Sequence, residues 1–126
     1  MDKNIIQTTA APSAIGPYSQ AVKIGDLLFV SGQIPIDPST GGLVIGGIES
    51  ETHRVMKNIG AILDAAGFGY DHIVKATLFI KSMDDFSKIN AIYAGYFKGD
   101  YPARETVEVS GLPRDAMIEI SVVAGK

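Results

Sequence analysis

The sequence predicts a two-layer α+β domain in which two helices pack on one face of a mostly antiparallel sheet. Three observations predict it. Short segments alternate apolar and polar residues as half-buried strands do, two longer segments carry apolar stripes at helical spacing, and glycine and proline separate them. The 126 residues suit one domain, 1–126, and no repeat, low-complexity tract or linker divides them.

The elements follow in order. SQAVKI (19–24) and DLLFVSGQIP (26–35) read as strands joined by a tight Gly25-Asp26 turn. DPSTGG (37–42) is a loop, and a second glycine pair follows at 46–47. From about Glu49 to Ala66 the residues Val55, Ile59, Ile62, Leu63 and Ala66 fall on one helical stripe, and Gly67 and Gly69 stop it. In HIVKATLFI (72–80), Val74, Ala76, Leu78 and Ile80 are expected on one face of a strand, with Lys75 and Thr77 opposite. Ser82 and Asp85 resemble a capping arrangement before a second helix with Phe86, Ile89, Tyr93, Tyr96 and Phe97 on its stripe. Gly99 is expected to end that helix. RETVEV and MIEISVVA close the chain as strands separated by SGLPRD. The predicted order is strand, strand, helix, strand, helix, strand, strand.

Composition excludes several functions. Apolar residues make up 46% of the chain and mean hydropathy is +0.19, slightly rich for so short a domain, which leans towards an oligomer that covers one sheet face. The net charge of −3, from 11 basic and 14 acidic residues without a basic run, lacks the footprint of a nucleic-acid binder. Without cysteine there is no disulfide, thiolate nucleophile or Cys-ligated metal. Residues 1–16 lack the basic start and apolar run of a signal peptide, and no stretch approaches the ~20 apolar residues that span a bilayer. The expectation is a cytoplasmic protein that engages neither nucleic acid nor membrane.

The chemistry is sparse. His53 and His72 lie far apart in no metal-ligand spacing and read as a solvated helix residue and a turn residue. The glycine pairs lack the Walker lysine and the strand-to-helix setting of a nucleotide loop, so no cofactor or metal is indicated. What stands out is polar residues in apolar strands. Arg104 opens one strand and Glu119 interrupts another. Each could face water or pair with the other or with Glu105; alternatively Arg104 holds a carboxylate through its planar fork, with Glu119 as a nearby acid or base. Alternation puts Arg104, Thr106 and Glu108 on one face and Glu105, Val107 and Val109 on the other. Gly16-Pro17 sets Tyr18 at a strand entrance, as a rim aromatic or as a hydroxyl reaching a polar partner.

Five segments together, AIGPYSQAV, FVSGQIPIDPSTG, AAGFGYDHIVKATLFI, DDFSKINAIYAGYF and PARETVEVSGLPRDAMIEISVVA, closely resemble the reactive-intermediate deaminase (Rid/YjgF) family. The resemblance runs from about residue 4 to residue 125. It implies a chorismate-mutase-like fold assembled as a homotrimer with sites in clefts between subunits. It also implies cofactor-independent hydrolysis of short-lived enamines and imines, 2-aminoacrylate/2-iminopropanoate and 2-iminobutanoate, to 2-oxo acids and ammonia. Carried over residue by residue, Arg104 would bind the substrate carboxylate, Tyr18 and Asn90 would line the site, Gly32 would offer backbone, and Glu119 would hold or activate a water. Thr106 stands where many members have cysteine. Glu105 replaces a small Ser or Thr, and Arg54 replaces a common glutamine on the first helix. The alternative is a regulatory trimer that binds 2-oxo acids without turnover; a ribonuclease, attached to some relatives, conflicts with the acidic balance.

Overall fold

The computed structural model describes residues 2–126. Its strands are β1 (Lys3–Ile6), β2 (Ala21–Ile24), β3 (Leu27–Gln33), β4 (Ile73–Ile80), β5 (Ala103–Glu108) and β6 (Ile118–Gly125), and its α-helices are α1 (Ile48–Ala65) and α2 (Phe86–Ala94). They form one six-stranded sheet, ordered β1-β2-β3-β6-β4-β5, with both helices on one face. Every pairing is antiparallel except β4 with β5. That exception has a cause: α2 carries the chain back across the sheet, so β5 starts at the same end as β4.

The core lies between α1 and the sheet. Val55, Met56, Ile59, Ile62 and Leu63 of α1 are buried against Leu28, Ala76, Leu78, Ile118 and Ile120. Each large side chain so removed from water contributes about 1.5–3 kcal/mol, and truncating Ile59 to alanine would cost about 2–5 kcal/mol. Glycine at 46 and 47, with φ of 137° and 90°, turns the chain into α1 through backbone that side chains disfavour.

Three expectations need correction. The sequence reading missed β1, whose four residues are mostly exposed and are held by pairing with β2 (Lys3 opposite Ile24, Ile6 opposite Ala21). In β4, Val74 is 51% exposed while Ile73 is buried, because the register with β6 shifts between Ile73 and Lys75. Such a bulge flips the residues on its far side relative to strict alternation. The second helix ends at Ala94, with Gly95 as its cap, well before Gly99; Tyr96 and Phe97 pack on the core from the following turn. The other assignments hold within a few residues, including the Gly25 turn and the Ser82 oxygen, which accepts from the Asp84 N–H at 3.2 Å.

The two sheet faces differ in character. On the helix face, cross-strand neighbours form the row Ala21, Val30, Val122, Ala76 and Arg104, and a second row ends Ile120, Leu78, Thr106. On the open face run Ile5, Val22, Phe29, Val123 and Lys75, and nearer the other end Glu119, Phe79 and Val107. Ile5, Leu27, Phe29 and Val107 are exposed there.

Candidate functional site

Arg104 is the outermost member of its row, exposed on the edge strand, and side chains of α2 reach it. The Glu108 carboxylate accepts from the Met83 N–H at 2.8 Å, tying the far end of β5 to the turn that starts α2. Phe86, Asn90 and Tyr93 then recur at i, i+4 and i+7, so one helix face looks onto β5. Arg104 Nη1 donates to Asn90 Oδ1 at 2.6 Å. Its guanidinium carbon sits 5.2 Å from the Tyr93 ring centroid and 5.6 Å from that of Phe86. Both lie within cation–π range.

No carboxylate partners this arginine among the described residues. Glu105 faces the other way, as alternation requires, where it pairs with Lys75 at 3.2 Å and accepts from Thr77 Oγ1 at 2.5 Å. These bonds lower the Glu105 pKa. The pairing of Arg104 with Glu105 or Glu119, one of the readings the sequence left open, does not occur. Instead Arg104 lines a cavity of about 480 Å³ with Asn90, Tyr93, Ala94, Tyr101 and Pro102.

The other sequence-derived site residues divide into two groups. Thr106 shares Arg104's face two residues along; its hydroxyl is buried and has no hydrogen-bond partner among the described residues. Glu119 and Gly32 are together on the open face. A β-carbon at Gly32 would come within 2.7 Å of the Glu119 Cδ, so only glycine leaves room for the carboxylate as placed. Burial raises the Glu119 pKa above its usual value of 4.5. Tyr18 stands apart, 53% exposed on the rim of a cavity of about 590 Å³ that Ile6, Thr8 and Ser13 also line. One chain therefore joins Arg104 with Asn90 and Glu119 with Gly32, and joins neither pair with Tyr18.

His53 is exposed on α1, where its ring Nδ1 meets the Tyr96 hydroxyl at 2.8 Å, and the His72 ring accepts from the Gly69 N–H at 2.8 Å in a turn. Arg54 is half-buried and donates to Asn58 at 3.1 Å, so it belongs to the helix surface rather than to the Arg104 cavity. Among the described residues no three His, Asp or Glu side chains cluster as metal ligands would, and no helix is long and apolar enough to cross a membrane.

Sequence reasoning assigned Phe86 and Tyr93 to the apolar stripe and missed their contact with Arg104. The i, i+4, i+7 spacing around Asn90 carried that signal.

A family profile described as Endoribonuclease L-PSP matches residues 8–126. The chain belongs to this family, known also as Rid or YjgF. The human 2-iminobutanoate/2-iminopropanoate deaminase is 46% identical over 122 residues, covering 97% of this chain and 89% of the human protein. Among solved structures, a Rid-family protein of unknown function from Yersinia pestis superposes with a TM-score of 0.97 at 55% identity, covering 99% and 100% of the two chains. TdcF of E. coli, solved with bound serine, superposes with a TM-score of 0.94 at 40% identity, covering 98% of each chain. This Rid-family chain thus shares the fold of its relatives along nearly its whole length.

Proposed function

We propose that this protein hydrolyses 2-imino acids, 2-iminopropanoate and 2-iminobutanoate and their enamine tautomers, to 2-oxo acids and ammonia, without a cofactor. The observation that carries the reading is Arg104: a guanidinium lying over two aromatic rings at the edge of a cavity, with no acidic partner among the described residues. A planar fork presented in this way suits bidentate capture of a carboxylate. The human deaminase and the serine-bound TdcF are consistent with a small ligand that carries a carboxylate.

The chemistry asks little of the protein. An imine carbon is already electrophilic, more so when its nitrogen is protonated. The enzyme must hold the carboxylate, deliver a water and move protons. Arg104 offers N–H donors and no acceptor, so its part is to bind the carboxylate. Glu119, less acidic than an exposed carboxyl, is suited to take a proton from water as that water adds to the imine carbon. Glu119 passes that proton to the nitrogen, and the C–N bond breaks to release ammonia. The hydroxyl left on the carbon gives up its proton to Glu119 or solvent as the C=O of the 2-oxo acid forms. The Thr106 hydroxyl and Asn90 would flank the carboxylate, the Gly32 backbone would approach the reacting carbon, and Tyr18 would close the rim.

Arg104 and Glu119 cannot meet within one chain, because they occupy opposite faces of the sheet. The reading therefore includes a homotrimer in which Arg104 of one chain faces Glu119 of the next. The exposed apolar side chains Ile5, Leu27, Phe29 and Val107 on the open sheet face support such burial.

The test couples the protein to a serine or threonine dehydratase with semicarbazide present to trap free imine. Wild-type protein should speed 2-oxo acid release and lower semicarbazone yield, while Arg104→Ala should do neither. Equal yields with both would refute the proposal. Binding of a 2-oxo acid with unchanged imine lifetime would favour the regulatory trimer instead.

A further inference from the structure

We infer that Tyr93, with Phe86, is a positioning residue: the two rings fix the plane of the Arg104 guanidinium so that its free edge is set for a carboxylate. The inference rests on the carboxylate-binding role proposed above for Arg104.

Three observations point to the ring of Tyr93 rather than to its hydroxyl. First, the guanidinium carbon lies 5.2 Å from this ring and 5.6 Å from that of Phe86, so a single cation lies over two aromatic rings. Second, Asn90, between them on α2, accepts from Nη1 at 2.6 Å and fixes the rotation about the arginine stem. Among the described residues the guanidinium makes no other hydrogen bond, which leaves its remaining N–H groups for a ligand. Third, Tyr93 is only 4% exposed, and its buried hydroxyl has no partner among the described residues. A buried hydroxyl without a partner does not help folding. The fold would accept phenylalanine here, whereas leucine leaves part of the ring's space against Phe97 unfilled. What leucine cannot supply is a negative face for a cation.

An arginine on an edge strand otherwise samples many rotamers, and ordering it upon binding would reduce affinity. Pre-ordering by the rings should appear equally in ground-state and transition-state binding. Loss of a ring then raises KM and leaves kcat at saturation alone. The expected loss is roughly 2-fold if the arginine remains exposed and up to roughly 30-fold if a ligand or neighbouring chain desolvates it.

The experiment titrates 2-oxobutanoate into wild type, Tyr93→Phe, Tyr93→Leu and Phe86→Leu by calorimetry, and measures KM and kcat for each with the imine trap. Tyr93→Phe should match wild type within about 2-fold, and each leucine variant should raise both Kd and KM by roughly 2- to 30-fold at near-constant kcat. Leucine variants that bind as wild type does, a fall in kcat with KM unchanged, or equal damage from Tyr93→Phe would each overturn the inference. Should Tyr93→Leu fail to fold, Phe86→Leu decides, because Phe86 is only partly buried. If wild type itself binds no 2-oxo acid and traps no imine, the carboxylate reading fails first, and the wild-type control shows this separately.

Discussion

Arg104 and Glu119 lie on opposite faces of one sheet, with β4 running between their strands: Arg104 is registered with Ala76 on the helix face, and Glu119 with Phe79 on the open face. No side-chain rotation brings two such residues together through a sheet. If both serve one reaction, the site spans two chains.

Complementation between inactive variants tests this directly. Arg104→Ala and Glu119→Gln should each be inactive as pure assemblies. In a trimer whose sites take one residue from each neighbour, every mixed assembly regains one intact site. Random co-assembly makes roughly three-quarters of trimers mixed, so roughly a quarter of wild-type activity should return on co-expression. No recovery would mean that the two residues do not share a site.

Gly32→Ala probes the other half of the proposed site. Its new β-carbon would meet the end of the Glu119 side chain rather than backbone, so the carboxylate should swing aside while the fold persists. The expected outcome is a loss of kcat of at least about 10-fold with a melting temperature within about 4 °C of wild type. Unfolding measured by circular dichroism and turnover by the imine trap check the two halves. Retained turnover would show that the position of Glu119 is immaterial.

How much of this was legible in the sequence depends on whether local pattern or packing decided the matter. Period-two alternation alone put Arg104 and Thr106 on one face and Glu105 on the other, and the structure agrees. The helix stripes were equally plain, because their apolar residues repeat over several turns. Val74 was misplaced because a bulge is a tertiary adjustment between β4 and β6 that leaves no local mark. The strand β1 was missed because four largely exposed residues acquire strand geometry only from β2. The spacing of Phe86, Asn90 and Tyr93 showed that they share one helix face, but that this face meets Arg104 is a tertiary contact between α2 and β5.

The raised pKa of Glu119 has a stability consequence with a definite sign. Burial favours the protonated form in the folded state over the unfolded one. The favourable contribution is therefore complete below the usual value of 4.5 and is lost as pH rises through the higher folded value. Glu119→Gln, which keeps the shape without the charge, should melt above wild type at pH 7. The gain should vanish at pH 4. In wild type, kcat/KM should fall on the acid side with an apparent pKa above 4.5, the mark of a carboxylate acting as base. A Glu119→Gln variant that is less stable at pH 7 would show instead that the carboxylate gains a partner in the assembly.

Assembly itself can be separated from folding at Phe29. This residue is 44% exposed in the row Ile5, Val22, Phe29, Val123, on the face away from both helices. A charge there meets water in a single chain and is buried in a trimer that closes over the sheet, where an unpaired carboxylate is costly. Phe29→Glu should therefore sediment as a monomer with a native far-ultraviolet spectrum, and imine hydrolysis should fall by at least about 10-fold because Arg104 and Glu119 of different chains no longer meet. Arg104 and its aromatic clamp lie on the opposite face, so the residual monomer should still bind 2-oxobutanoate weakly. A variant that stays assembled and active would place the subunit contact elsewhere on the chain.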